Sequence, residues 1–429
     1  MAGTMTSRRT FLAAGAASAI TRTAFGQAAE RKLKFGLIGC GWYGMVDTDA
    51  AFQVGNVECI ALCDVDSEHL KTAADEVEKR QGSRPKLFKH YQELLDTPGL
   101  DFVIIGTQPH WHALTFIAAC NKGLDVYCEK PVAYDIREGR AMVNAARKAG
   151  RVVQLGFQRR EQNGFQEARK FLQSGQAGKV VQVDAQIHYK PGILDTRPQD
   201  PPASLDWDLW CGPAPKLPYS PQVGHKAWRL EKEYGNGHLV DWGIHLIDAV
   251  RVALNESMPK SVIAAGGLYE LKGQITTPDI LTVHFEFETA PVVWRHHLWG
   301  ATEPFPQAAN GVFFYCEKAT VFATDDYWSI LRPGKDATPE KIDVAAAKDA
   351  QMRHVANFLD AVRTRKTPDC PIEDAYQSTA TVQLAMLSHY SGNNRVDWDA
   401  RAEKITNNPA AAKMLKREYR APYKHPYSG

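Results

Sequence analysis

LKFGLIGCGWYG, residues 33–44, reads as a strand that runs into a turn. Leu33 to Ile38 is a short apolar run of the kind buried inside a parallel sheet. Gly39, Gly41 and Gly44 follow in G-x-G-x-x-G spacing. The first glycine makes the tight turn, the second admits a pyrophosphate to the backbone, and the third lets helix and strand pack closely. The spacing alone is weak, but here it ends a strand and opens a helix, the context that makes it specific. A helix N-terminus in that position offers unpaired N–H groups to phosphates. The expected ligand is a dinucleotide, with Trp42 and Tyr43 beside it. Asp64 closes the next strand, where its carboxylate accepts hydrogen bonds from the adenosine ribose and repels a 2′-phosphate. NAD is favoured over NADP.

Working outward, strands and helices alternate. VECIALCDVD from Val57, DFVIIGT from Asp101, LDVYCEK from Leu124 and RVVQLGF from Arg151 are strand-like, and helical patterns fall between them. This predicts parallel βαβ units with right-handed crossovers, a Rossmann domain over residues 30–160. Residues 161–429 read differently. KVVQVDAQIHYK from Lys179 alternates like a half-buried strand, and a long Pro- and Trp-rich loop follows it. After a helix over HLVDWGIHLIDAVRVAL come strand-like runs at 261–271, 279–289, 291–300 and 311–324. The expected class is α/β: a Rossmann domain plus an α+β domain with a large, mostly antiparallel open sheet. One face of that sheet is free to pair with a second subunit. The region from about Ala345 to Tyr390 reads as helical and able to pack back on the first domain.

Composition narrows the function. The chain has 429 residues, 44% hydrophobic and 23% charged, with net charge +2. No basic run favours nucleic acid or an anionic membrane surface. The eight cysteines have no CxxC spacing and read as buried free thiols. Residues 1–29 stand apart: two adjacent arginines, Arg8 and Arg9, precede an apolar stretch and then small residues. This resembles a twin-arginine (Tat) export signal. The run is too short to span a bilayer permanently, and no other segment reaches that length. The Tat machinery is thus an expected partner, and the destination periplasmic or extracellular.

Two further stretches carry chemistry. TQPHWH, Thr107 to His112, lies at a strand's C-terminal end, where open α/β sheets bind ligands. Thr107, Pro109 and His112 could line the nicotinamide side, although His112 could equally cap the helix that follows. Glu129, Lys130 and Pro131 end the next strand and face the same crevice. An amine there can polarise a substrate oxygen and join a proton relay; the bland alternative is a surface salt bridge between Lys130 and Glu129. In DWGIHLID, Asp241, His245 and Asp248 share a helix face by spacing. His245 can take the proton of an alcohol whose carbon loses hydride, and Asp241 can orient it or bind substrate. Gln158, Arg159 and Arg160 follow a sheet strand and either reach the pocket or stay solvated. His188, Tyr189, Trp228 and Arg229 are candidates for a sugar ring. His296 and His297 are adjacent on a strand and point to opposite faces, so no metal site is expected.

In this order, G-x-G-x-x-G with Asp64, TQPxxH, EKP and DxxxH resemble the Gfo/Idh/MocA superfamily of NAD(P)-dependent sugar and polyol oxidoreductases. GRVVQLGFQRR and LDWDLWCGPAP resemble a branch rich in exported members. The resemblance implies a homodimer or homotetramer built on the open sheet, a cis Lys130–Pro131 bond, and a catalytic set of Lys130, Asp241 and His245. Gln108 and His110 depart from many relatives. Three functions follow: a dehydrogenase exchanging NAD, a redox-neutral enzyme that keeps its NAD (an NAD-dependent glycoside hydrolase or a sugar–sugar oxidoreductase), and a non-catalytic sugar binder. Free NAD is scarce outside the cytoplasm, so an exported chain favours a tightly bound cofactor. Lys130 and His245 are both present, which counts against the third.

Overall fold

The computed structural model describes residues 31–300, 308–345 and 347–428; the Tat-like segment lies outside them. The first sheet comprises β1 (Leu33–Ile38), β2 (Val57–Cys63), β3 (Lys86–Phe88), β4 (Phe102–Ile105), β5 (Asp125–Glu129) and β6 (Val153–Gly156). Its order is β3-β2-β1-β4-β5-β6, and every pairing is parallel. The order reverses between β1 and β4, so their C-terminal ends open a crevice. Buried apolar runs explain the central strands: β4 and β5 have no exposed residue. The edge strand β3 has three residues, two of them exposed, and carries no periodic signal.

The second sheet adds β7 (Val180–Ile187), β8 (Ser261–Gly267), β9 (Ile280–Glu286), β10 (Pro291–His297), β11 (Asn310–Cys316), β12 (Thr320–Ala323), β13 (Tyr327–Leu331), β14 (Glu340–Asp343), β15 (Val396–Asp399) and β16 (Lys404–Ile405). Its order is β14-β13-β12-β11-β7-β10-β9-β8-β15-β16. All pairs are antiparallel except β7 with β10. Burial alternates along the strands, as in β9, because one face packs on helices Ile244–Leu254 and Ile372–Tyr390. The run at 311–324 is the hairpin β11–β12 rather than one strand. The C-terminal region holds two helices, Ala350–Thr364 and Ile372–Tyr390, interrupted where Arg365 turns left-handed and Pro368 and Pro371 follow.

Helix Ala350–Thr364 belongs to the first core. Phe358 meets Phe102 at 5.4 Å and Tyr127 at 5.7 Å, ring to ring, and the neighbouring Val355, Leu359 and Val362 join the cluster under β1 and β2. All eight cysteines are free thiols; seven are buried and Cys316 is half-buried. Among the described residues, no helix is long and apolar enough to cross a membrane.

Candidate active site

A cavity of about 950 Å³ lies over the C-terminal ends of β1, β4 and β5, roofed by residues of the second half. The glycine-rich turn shapes its floor. Gly39 has φ +93°, and a Cβ there would meet the Gly106 carbon and the Thr107 nitrogen at 2.8 Å. A Cβ on Gly44 would lie 2.1 Å from the Gly39 carbonyl oxygen. Gly41 differs: its missing Cβ points into open space. Gly41 also caps helix α1 (Trp42–Val54) without a side-chain hydrogen bond, leaving the first-turn amides for an anion. Asp64 braces this turn. One carboxylate oxygen accepts from the Cys40 amide at 2.6 Å and the other from the Asp66 amide at 2.8 Å. Burial pushes its carboxyl up, against the pull of those two amides.

Lys130 follows β5, and its bond to Pro131 is cis. Its Nζ reaches across to the second half, donating to the Asp241 carbonyl at 2.6 Å and carboxylate at 2.8 Å. The other Asp241 carboxylate oxygen lies 3.2 Å from Arg229 Nε. Burial alone would raise Asp241, but Lys130 and Arg229 hold its carboxyl down at about 2. Asp241 therefore serves Lys130 and not His245. His245 is buried, packs edge-on against Phe157 at 6.1 Å, and leaves Nδ1 without a partner. Burial, with Lys130 and Arg159 nearby, holds its imidazole well below its usual value. The helix carrying both residues opens with a π-turn, Leu239–Gly243, so their spacing is not that of a plain α-helix. Such turns are frequent at functional sites. Both side chains reach the cavity wall; Asp248 does not, and is paired with Arg160 at 2.6 Å.

Beside Lys130 the cavity is lined by Thr107, Glu129 and Gln158, with Tyr43 hydrogen-bonded to Gln158. Gly156 makes room for Glu129, since a Cβ there would sit 2.0 Å from the carboxyl oxygen Oε1. Burial pushes Glu129 up to about 8, although Lys130 pulls the other way. Thr107 Oγ1, Glu129 Oε1, Gln158 Oε1 and His245 Nδ1 are all buried, unpaired within the protein, and on this wall. Polar atoms converging in this way fit a polar ligand, and the amides at α1 fit its phosphates. The residues present therefore suit a nicotinamide dinucleotide.

The fold also redirects several predicted residues. His112 is fully buried, with Nδ1 at 2.8 Å from the Pro131 carbonyl and Nε2 at 3.0 Å from the Thr107 carbonyl. It tethers two cavity loops and does not line the cavity. Pro109 starts helix Pro109–Asn121, and Gly44 packs against Gly39. His188 stacks on His297 at 4.1 Å and Tyr189 leans on His238 at 4.7 Å, and neither lines the cavity. Arg159, Trp228 and Arg229 do reach it. Asp325, which holds Arg159 at 2.8 Å, lies far off in sequence and carried no signal. Spacing also missed two His–carboxylate groups, Asp66–His69–His225 and Asp135–Glu138–His425, each with ligand atoms within 4.8 Å of one another. In the first, His225 Nε2 is already hydrogen-bonded to Asp66 at 3.0 Å. In the second, Glu138 accepts from Tyr419 at 2.8 Å beside Arg417.

A parallel sheet ordered in this way, with a glycine-rich turn at its switch point, defines a dinucleotide-binding protein with a second α/β domain. Residues 33–157 match the model described as "Oxidoreductase family, NAD-binding Rossmann fold", and residues 167–266 its partner, "Oxidoreductase family, C-terminal alpha/beta domain". The chain belongs to the Gfo/Idh/MocA oxidoreductase family. It is 31% identical over 167 residues to inositol 2-dehydrogenase of Salmonella typhimurium, a match spanning 38% of this chain and 47% of that one. The chain thus spans about half the length of that curated relative. Myo-inositol 2-dehydrogenase of Thermotoga maritima is 25% identical over 293 residues, 68% of this chain and 73% of that one. In fold, levoglucosan dehydrogenase with NADH and levoglucosan has TM-score 0.67 at 17% identity, covering 85% of this chain and 99% of that one. Aldose-aldose oxidoreductase from Caulobacter crescentus has TM-score 0.64 at 20% identity, covering 86% and 100%.

Proposed function

We propose that the protein is an NAD-dependent oxidoreductase acting on a hydroxyl-bearing carbon of a sugar or polyol. The observation that carries this reading is the meeting of Lys130, Asp241 and His245 on one wall of the dinucleotide cavity. The nicotinamide, when bound, accepts or returns a hydride. The chain's residues handle the proton. Lys130, fixed by the two bonds it donates to Asp241, donates also to the reacting oxygen and stabilises the charge that builds there. His245, kept neutral by its surroundings, takes the hydroxyl proton in oxidation and gives it back in reduction. The relatives named for inositol and for aldoses support the substrate class. Arg159, Trp228 and Arg229 offer a cationic and aromatic surface to the sugar. Export by the Tat route, with the cofactor carried out tightly bound, remains part of this reading. So does a homo-oligomer formed on the open sheet face, where Val181, Ile263, Tyr315 and Leu331 are exposed.

The first test is the nucleotide content of the protein purified without added cofactor, denatured and chromatographed. Near-stoichiometric NAD(H) supports a resident cofactor, and glycosides and sugar pairs are then screened for redox-neutral turnover. Hydrolysis of a glycoside would replace net oxidation by the hydrolytic reading. An empty protein argues for exchange with free NAD.

Two predictions arise from this geometry. An imidazole must be neutral to accept a proton, so a lowered His245 value moves the acid limb to lower pH. We expect kcat/KM for oxidation to show no inflection at about pH 6.5, the free-imidazole value. A fall centred there would remove His245 as the base. Asp64→Ala is expected to weaken NAD more than NADP. Equal loss for both in equilibrium titrations would leave Asp64 only as the brace of the Cys40 amide.

A further inference from the structure

The loop read from sequence as Pro- and Trp-rich, residues 190–220, is in its second part and the ten residues that follow a built element. Residues 199–230 cross from the second half onto the first and are stiffened by their own core. Trp207 stacks on Trp210 at 4.6 Å, and Leu205, Tyr219, Trp228 and the following Tyr234 complete the cluster. The segment is fastened by backbone to the turn that follows β2. The Ser67 amide donates to the Ser204 carbonyl and the Asp206 amide to the Val65 carbonyl, each at 3.0 Å. Side chains add to this: Lys89 pairs with Asp206 at 2.5 Å, and His225 with Asp66 at 3.0 Å. Val65 and Asp66 directly follow Asp64, the residue placed at the adenosine ribose, and all three line the cavity. The part around Ser204–Asp206 therefore roofs the adenosine end, and the segment's far end, at Trp228 and Arg229, reaches the wall that carries Asp241.

One cation of this roof is the exposed Lys226, at the rim of the cavity. Lys226 lines the cavity, and its Nζ sits 5.0 Å from the ring centre of Trp42, the first residue of α1. Among the described residues no carboxylate pairs with it. The neighbouring Arg229 is occupied by Asp241. Trp42, itself 54% exposed, is the first residue of α1, so the Lys226 ammonium stands beside the helix end whose amides fit a pyrophosphate.

We propose that residues 199–230 form a strap closed over the dinucleotide, with Lys226 as a cationic ligand of its pyrophosphate and the His225–Asp66 hydrogen bond as the latch. The proposal rests on the dinucleotide reading of the cavity. The phosphates are gripped from two sides, by α1 below and by Lys226 above. Release of the nucleotide then requires Lys226 to leave and the latch to open. The strap assigns retention to this chain's own residues rather than to the glycine-rich turn alone.

The test uses the full mature chain stripped of nucleotide, with NAD, ADP-ribose and adenosine as probes in equilibrium titrations and NADH displacement as the kinetic readout. Lys226→Met keeps the stem packed on Trp42 and removes the charge. It is expected to raise the dissociation constants of NAD and ADP-ribose on the order of tenfold, and to leave adenosine unchanged. His225→Phe, which keeps a ring against His69, is expected to speed NADH dissociation several-fold. Unchanged NAD affinity in Lys226→Met, or equal loss for adenosine, would overturn the pyrophosphate contact. An unchanged NADH dissociation rate in His225→Phe would overturn the latch. If the unsubstituted protein binds none of the three probes, the dinucleotide reading itself fails, which is a different result.

Discussion

Lys130→Ala is expected to remove most turnover while the protein still folds and still binds NAD. The expected loss is about 10²- to 10⁴-fold in kcat, the range for removing a positioned proton-transfer or charge-stabilising group. The geometry explains why it falls on kcat. Lys130 Nζ is held by the Asp241 carbonyl and carboxylate, so the amine is aimed before substrate arrives. The glycine-rich turn and Asp64 are elsewhere on the wall and keep their contacts. Asp241 keeps Arg229 as a counter-charge, which limits the cost of leaving it buried. Stopped-flow mixing with NADH separates the two steps. A variant that binds the nucleotide normally and turns over at the parent rate would remove Lys130 from the mechanism.

The second large effect comes from a pair of glycines that look alike in sequence. Gly44→Ala places a methyl group 2.1 Å from the Gly39 carbonyl oxygen, and that partner is backbone. Helix α1 must then shift away from the turn, at a cost of about 1–3 kcal/mol or more. We expect a melting point lower by several degrees together with loss of NAD binding. Gly41→Ala meets nothing within 4 Å in the protein itself. It is expected to leave the melting point of the nucleotide-free protein in place and still weaken NAD strongly, because the new methyl occupies the phosphates' approach. Thermal melts with and without NAD distinguish the two. Equal behaviour would mean that the turn is not where the dinucleotide lies.

The contrast shows what a sequence can carry. The glycine-rich turn, the EKP strand end and the DWGIH helix are local, and each was legible from a few adjacent residues. The central strands were legible because burial on both faces leaves continuous apolar runs. What failed was either short or distant. The edge strand Lys86–Phe88 is half solvated and the hairpin Val396–Ile405 is brief, so neither imposes a period. Asp241 reads as the partner of His245 four residues on, yet its side chain turns to Lys130, 111 residues away. His112 carries the ligand-lining look of any histidine at a strand end. Only the fold shows both its nitrogens facing backbone carbonyls, those of Pro131 and Thr107. The first part of the strap, to residue 220, was visible in a long Trp-rich loop, but His225, Lys226 and the contacts to Val65, Asp66 and Lys89 were not, because nothing in composition specifies a distant partner.

Phe358 and its neighbours, some 200 residues beyond the last strand of the first sheet, complete the core beneath Phe102 and Tyr127. The nucleotide-binding half is therefore not a module that can finish folding as it leaves the ribosome. Until the last quarter of the chain has been synthesised, one flank of its sheet stays greasy and open. A transcript cut short before helix Ala350–Thr364 yields a sticky fragment for chaperones and proteases, not a small NAD-binding protein.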